Sequence, residues 1–313
     1  MKNKCFLALL LVVVMMCACW TGVLAEDEKR ETFTSGDYKY ALLDDGTVEI
    51  TKYNGKAEDL IIADTLEGKK VTSIGDRAFF WCPYLTSVTI PNSVTSIGDR
   101  AFYWSSLSFV TIPDSVVQIG VNPFEYCFAL KSISVSPDNP YFAVIDGVLF
   151  RKADKCLISY PIGIKSSTYT IPQGITSIGD SAFRSCSFLS SVTIPDSVIS
   201  IGALAFYNCA SLDNITIPDS VISIGDSAFS GCDSLTSVSF PDSVASIGEI
   251  AFFGCLSLTN VAIPDSVIFI GDDAFSGCPN LILTVPRNSY AAEYAKTNDI
   301  PYTYPDANDW LNN

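Results

Sequence analysis

Two stretches decide the fold when one is set over the other: Leu212 to Phe229, LDNITIPDSVISIGDSAF, and Leu189 to Phe206, LSSVTIPDSVISIGALAF. Their apolar positions coincide at an offset of 23 residues. Ile-Gly pairs mark the same point along the chain, beginning at Ile74, Ile97, Ile119, Ile178, Ile201, Ile224, Ile247 and Ile270. The intervals are 23, 22, 59, 23, 23, 23 and 23 residues, so the third interval exceeds one period by 36. The chain is an array of like units with one interruption.

The pass from Cys232 to Phe252 shows what one unit does. Val238 and Phe240 stand two apart and share one face of a strand, which turns Thr236, Ser237 and Ser239 to solvent. Pro241 cannot donate to a ladder and ends the strand, and Asp242-Ser243 make a turn. Val244 and Ile247 point inward, and Gly248 precedes a predicted short helix whose inner face carries Ala251, Phe252, Cys255 and Leu258. No single pass buries this face, so neighbours stack on one continuous core.

The pattern Cys-x-x-Leu-x-x-Val-x-Ile-Pro-x-x-Val-x-x-Ile-Gly-x-x-Ala-Phe resembles the BspA-like leucine-rich repeat family over roughly Val71 to Val285. Its period lies within the range of about 20 to 29 residues typical of such repeats. The resemblance implies an α/β leucine-rich-repeat solenoid of 23-residue repeats, parallel strands alternating with short helical turns. It also implies a secreted or cell-surface protein with no catalysis and no cofactor, which binds host matrix proteins, glycoproteins or neighbouring cells. Asp146-Gly147-Val148-Leu149-Phe150 resembles an interruption that recurs in that family.

The ends and the interruption follow different rules. Residues 1–25 read as a signal peptide: Lys2 and Lys4 precede the apolar run Phe6 to Met16, and Val23-Leu24-Ala25 suits cleavage. A lipoprotein signal acylated at Cys19 is the alternative. Residues 26–66 are a polar leader followed, from Tyr38, by a β cap with a hairpin at Asp45-Gly46. The solenoid spans 67–285 with an insert at about 137–165, where Asp146-Gly147 and Lys152 to Lys155 turn a β meander from Phe142 to Tyr160. Residues 286–313 form a C-terminal cap with a helix begun by Ser289 and stopped by a left-handed Asn298.

Composition removes whole classes of function. The 313 residues include no histidine, which excludes imidazole bases, Ser-His-Asp and Cys-His arrangements. The formal charge is −15, or −17 once Lys2 and Lys4 leave with the signal, which disfavours nucleic acid and anionic lipid. No later segment supplies the ~20 apolar residues of a membrane span. Single cysteines without a paired Cys-x-x-Cys disfavour zinc.

The repeating residues are weighed column by column. Ser227, in Gly-Asp-Ser-Ala-Phe, has the look of a presented nucleophile, but its column holds Arg77, Arg100, Asn122, Ser181, Leu204, Ile250 and Asp273, the tolerance of an exposed side chain. Asp76, Asp99, Asp180, Asp226 and Asp272 precede it and are expected to cap the short helix. Cys82, Cys127, Cys186, Cys209, Cys232, Cys255 and Cys278 share one position, with Trp104 in the remaining slot. They are either buried thiols or bridges such as Cys209 to Cys232, and parallel stacking favours thiols.

Three columns offer a binding surface. Asp114, Asp196, Asp219, Asp242 and Asp265, with Asn92 and Gln173 as variants, form a row suited to Ca²⁺ or a basic partner, or else to ordinary turns. Thr89, Thr111, Ser134, Thr193, Thr216, Ser239 and Ala262 line the strand face, as a binding or ice-ordering surface or a merely solvated one. Phe80, Trp81, Tyr103, Trp104, Tyr126 and Phe128 make the early passes aromatic, as a binding patch or as packing beneath the cap. The function expected is protein binding or adhesion outside the cell. A structural surface-layer component and a glycan-active enzyme using carboxylates are the alternatives.

Overall fold

The computed structural model describes residues 30–305, so the signal peptide lies outside the described residues. Each 23-residue pass closes one coil and places two short strands in two parallel ladders. Ser191–Thr193 and Ser200–Ile201 are the two of one coil. Register is one coil per step: Ser200 pairs with Ser223, Ser223 with Ser246 and Ser246 with Phe269. The alternation expected of the first ladder holds, with Val238 and Phe240 buried and Thr236, Ser237 and Ser239 exposed.

The third side of the coil is not helical. Among the described residues the only α-helix is Tyr290–Thr297, α1, with Ser289 as N-cap; the segment after each Gly is a run of tight turns. The cause is a left-handed residue at one fixed position: Arg77, Arg100, Ser181, Leu204, Ser227, Ile250 and Asp273 all have φ between 47° and 58°. A left-handed residue every coil stops a helix before it has a full turn. Asn122 escapes this because Pro123 follows and forces extended backbone.

Three column assignments change accordingly. Ser227 is buried, not exposed, and its column is free in side chain but fixed in backbone. The aspartates are staples between coils and not helix caps: Asp76 Oδ1 accepts from Asp99 N at 2.7 Å, Asp180 Oδ1 from Ala203 N at 2.8 Å, and Asp226 Oδ1 from Glu249 N at 2.9 Å. The Ile-Gly glycine lets these coils approach, since a Cβ on Gly248 would lie 2.5 Å from the Asp226 backbone nitrogen. Ser105, buried, holds the eighth cysteine slot and bonds Cys127 Sγ at 3.2 Å, so Trp104 belongs to another column.

Phenylalanine fills the centre. Phe183, Phe206, Phe229, Phe252 and Phe275 stack face to face at centroid spacings of 4.9, 5.1, 5.1 and 5.3 Å. Beside them every described cysteine is a free thiol. Cys209, Cys232 and Cys255 each donate to the carbonyl of a phenylalanine 26 residues earlier at 3.1 to 3.2 Å. Each of these thiols therefore bonds the coil before it. Burial raises the thiols of Cys82 and Cys127 to about 11. Because the folded values exceed the ordinary 9.0, this contribution to stability is complete below pH 9 and is lost as pH climbs through 11. At pH 8 an alkylating reagent is expected to leave the buried cysteines unmodified until denaturant is added; rapid labelling of folded chain at Cys209 or Cys232 would refute the packing.

The chain begins with a meander. Thr32–Ser35 pairs antiparallel with Tyr38–Leu42, so strand reaches into the stretch expected to be a loose leader. Val48–Tyr53 returns and pairs in parallel with Lys69–Ile74, the first strand of the second ladder. At the other end Asn298 has φ −101° and caps α1 by donating from Nδ2 to Tyr294 O; the left-handed residue is Asp299.

The interruption repeats the cap. Phe142–Ile145, Val148–Arg151 and Cys156–Ser159 form a second antiparallel meander, and its last strand pairs in parallel with Ser177–Ile178. Tyr53 and Tyr160 hold equivalent places: Tyr53 N bonds Ala78 O and its ring meets Phe79, while Tyr160 N bonds Ala182 O and its ring meets Phe183. Alternate residues of the insert face opposite ways. Leu149 and Ile158 join the core of the first block, and Val148, Phe150 and Leu157 that of the second. The solenoid is thus two capped blocks with the insert as partition, and no strand ladder crosses it.

Candidate interaction surface

The turn side of the first block carries the aromatic residues. Phe79, Phe102 and Phe124 take the inward positions, which leaves their neighbours outside. A second left-handed position, four residues after the first, holds Trp81, Trp104 and Tyr126, with φ of 53°, 58° and 60°. Trp81 is 63% and Trp104 50% exposed, which answers whether these rings pack beneath the cap. They form a column of their own, Trp81 on Trp104 at 5.8 Å and Trp104 on Tyr126 at 5.9 Å. A parallel row runs beside it, with Phe80 on Tyr103 at 5.6 Å, and exposed Phe128 touches Tyr126 at 5.7 Å. In later coils the second left-handed position is Ser185, Asn208, Gly231, Gly254 or Gly277.

Arginines frame the strip. Arg77 is exposed between Asp76 and the buried Ala78. Arg100 Nε donates to Glu125 Oε2 at 2.8 Å, and Arg184 Nη1 lies 3.0 Å from Glu125 Oε1. The Glu125 side chain is only 1% exposed, so the strip rests on a buried Arg-Glu-Arg triad. Arg184 comes from the second block, its guanidinium 5.4 Å from the Tyr126 ring and 4.6 Å from that of Tyr207. Asn122 Nδ2, donating to Ser181 O at 2.7 Å, makes a further bond between the blocks. Nothing in the sequence pairs Glu125 with Arg184, 59 residues away, until the insert is seen to fold out of the turn side.

The threonine face is exposed where expected, at Thr89, Thr111, Thr193 and Thr216. The partition divides it: Thr89 and Thr111 belong to one sheet and Thr193 to another. Thr111 also spends its hydroxyl on Ser134 Oγ at 2.8 Å. The aspartates after proline stand exposed, and the following serines tie coils together, Ser220 Oγ donating to Val198 O and Ser243 Oγ to Val221 O. Among the described residues no group of three or more His, Cys, Asp or Glu could hold a metal, and no helix is long and apolar enough to cross a membrane.

A coil of two parallel strands and a turn-rich side, its core built from one Leu, Val, Ile and Phe of every repeat, defines a leucine-rich-repeat solenoid. Residues 57–157 and 162–282 match the model described as BspA type leucine rich repeat region, in 6 copies. The chain belongs to that family. A leucine rich cell surface protein from Faecalibacterium prausnitzii is similar in structure at 28% identity and a TM-score of 0.63, over 86% of this chain and 98% of that one. A leucine-rich repeat protein from Eubacterium ventriosum shares the fold at 24% identity and a TM-score of 0.60, over 82% and 84%. The pneumococcal vaccine antigen PcpA does so at 20% and 0.57, over 88% and 98%. No curated protein matches the chain.

Proposed function

We propose that the chain acts outside the cell, at the cell surface, as an adhesion protein that grips a protein partner along the aromatic strip of its first block. The observation that carries this reading is the column in which exposed Trp81 and Trp104 stack on the half-buried Tyr126. Each ring covers its neighbour's face, so the strip presents edges, which suit the side chains of a protein better than the flat stacking of a sugar. Trp, Tyr and Arg are also the residues that dominate binding hot spots. The N-terminal signal pattern supports export, and the similarity to a leucine rich cell surface protein supports the location.

The chain is expected to bind immobilised extracellular matrix proteins or whole cells, and Trp81→Ala with Trp104→Ala is expected to weaken that binding by at least about 2 kcal/mol, some thirtyfold. Surface plasmon resonance on folded variants measures it. Unchanged affinity in the double variant would move the contact elsewhere.

A further inference from the structure

The aromatic strip is a grid with two spacings. Along the solenoid its rings recur once per coil, at 5.8 and 5.9 Å in the row of Trp81, Trp104 and Tyr126 and at 5.6 Å between Phe80 and Tyr103. Across the strip the two rows stand 6.4 Å apart at Phe80 and Trp81 and 6.3 Å apart at Tyr103 and Trp104. Side chains on one face of an α-helix repeat on nearly the same grid: a turn rises about 5.4 Å, and neighbours three and four residues apart stand about 5–6 Å from each other. A lone extended strand turns a side chain to one face about every 6.6 Å and offers a single row. Polyproline II returns to one face only after about 9.3 Å. Over the two intervals from Trp81 to Tyr126 both of these drift out of step with the rings, and a helix stays in step.

We infer, on the reading that this strip is the contact, that the protein partner presents an amphipathic α-helix laid along the solenoid axis, its apolar side chains seated between the rings. Ser185, Asn208 and Gly231 follow Tyr126 in the column, so the strip ends after three coils and three turns, about 11 residues of helix, cover it. Apolar residues at i, i+3 or i+4 and i+7 supply one contact per coil. Charge sets the polar flank. Asp76 and Asp99 each give a carboxylate oxygen to backbone of the next coil, and Glu125 holds Arg100 and Arg184. Arg77 is exposed, and among the described residues its guanidinium has no partner, so the helix carries an acidic residue beside it. A second copy of this chain offers no such helix among its described residues, because Tyr290–Thr297 buries Ala291, Ala292, Tyr294 and Ala295 in its own core.

The test titrates the full chain with synthetic peptides of about five helical turns. One carries leucine at i, i+3, i+4 and i+7 with glutamate on the opposite face, one has the same residues in strict alternation, and one is proline-rich. The first is expected to bind at least about tenfold tighter than the others and, when labelled with carbon-13, to show helical shifts in the complex. Trp81→Ala with Trp104→Ala is expected to abolish that preference. Arg77→Asp, in a column where Asp273 holds the same left-handed position, is expected to slow association of the glutamate peptide about fivefold at low salt and to speed that of a lysine counterpart. Equal or tighter binding of the alternating or the proline-rich peptide would overturn the helix, and if that binding needs both tryptophans the strip remains the contact. No saturable binding of the helical peptide, or a preference for it that survives loss of both tryptophans, would overturn the inference as well. Unchanged rates for both charge forms in Arg77→Asp would overturn the acidic flank. The matrix-protein affinity of the same tryptophan variant decides separately the strip's part in adhesion.

Discussion

Phe252→Ala is expected to cost about 3–5 kcal/mol of stability, while Phe253→Ala, one residue on, costs less than about 1. Phe252 is fully buried, with stacked rings on both sides at 5.1 and 5.3 Å and the edge of Phe240 at 5.7 Å. Removing it leaves a ring-sized void between coils that the ladders hold at fixed spacing, so the site cannot collapse. Phe253 is half exposed and leaves no cavity. Because repeats contact only their neighbours, the damage should be local. Hydrogen exchange should lose protection in the coils around residue 252 while residues 71–119 keep theirs. Equal melting temperatures for the two variants would show that the phenylalanine column is not the core.

Glu125→Ala should be as harmful for an electrostatic reason. It strips the carboxylate from between Arg100 and Arg184 and leaves a largely buried guanidinium without its counter-ion; breaking such a pair typically costs about 3–5 kcal/mol. The loss should appear where the blocks meet, as faster exchange at Asn122 to Cys127 and at Ser181 to Cys186. Replacing all three members by apolar residues, Arg100→Met, Glu125→Leu and Arg184→Met, should recover most of the stability, because the desolvation of three charges disappears as well. A Glu125→Ala variant as stable as the parent would mean that the triad does not secure this contact.

The repeat was legible because a 23-residue pattern of Leu, Val, Ile, Ala and Phe reports burial directly. Roles set by the neighbouring coil were not. Asp226 looks like a helix cap in its own pass, and its acceptor duty toward Glu249 N appears only when coils are stacked. The short helix failed for a related reason: Ala251, Phe252, Cys255 and Leu258 have helical spacing, yet left-handed Ile250 breaks the hydrogen-bond run, and a β-branched residue there gives no warning. Trp104 stands one position before the cysteine slot, and sequence spacing hides this because Ser105 holds that slot in place of a cysteine. The aromatic column could be read as a set, but its exposure could not, since Phe79 and Phe80 look alike in sequence and face opposite ways.

Both strand ladders stop at the insert, and the blocks are held together on the turn side by Asn122, Glu125 and Arg184. In mechanical terms the molecule has a joint. Tension along the axis is shared by many parallel backbone bonds inside each block, but at the insert it falls on two backbone bonds, Ile133 N to Gly147 O and Gly163 N to Leu130 O, and a few side chains. A partner pulling on the first block would therefore open this joint before it unravelled a coil, and each block, keeping its own meander and its own core, could reseat when the load is released.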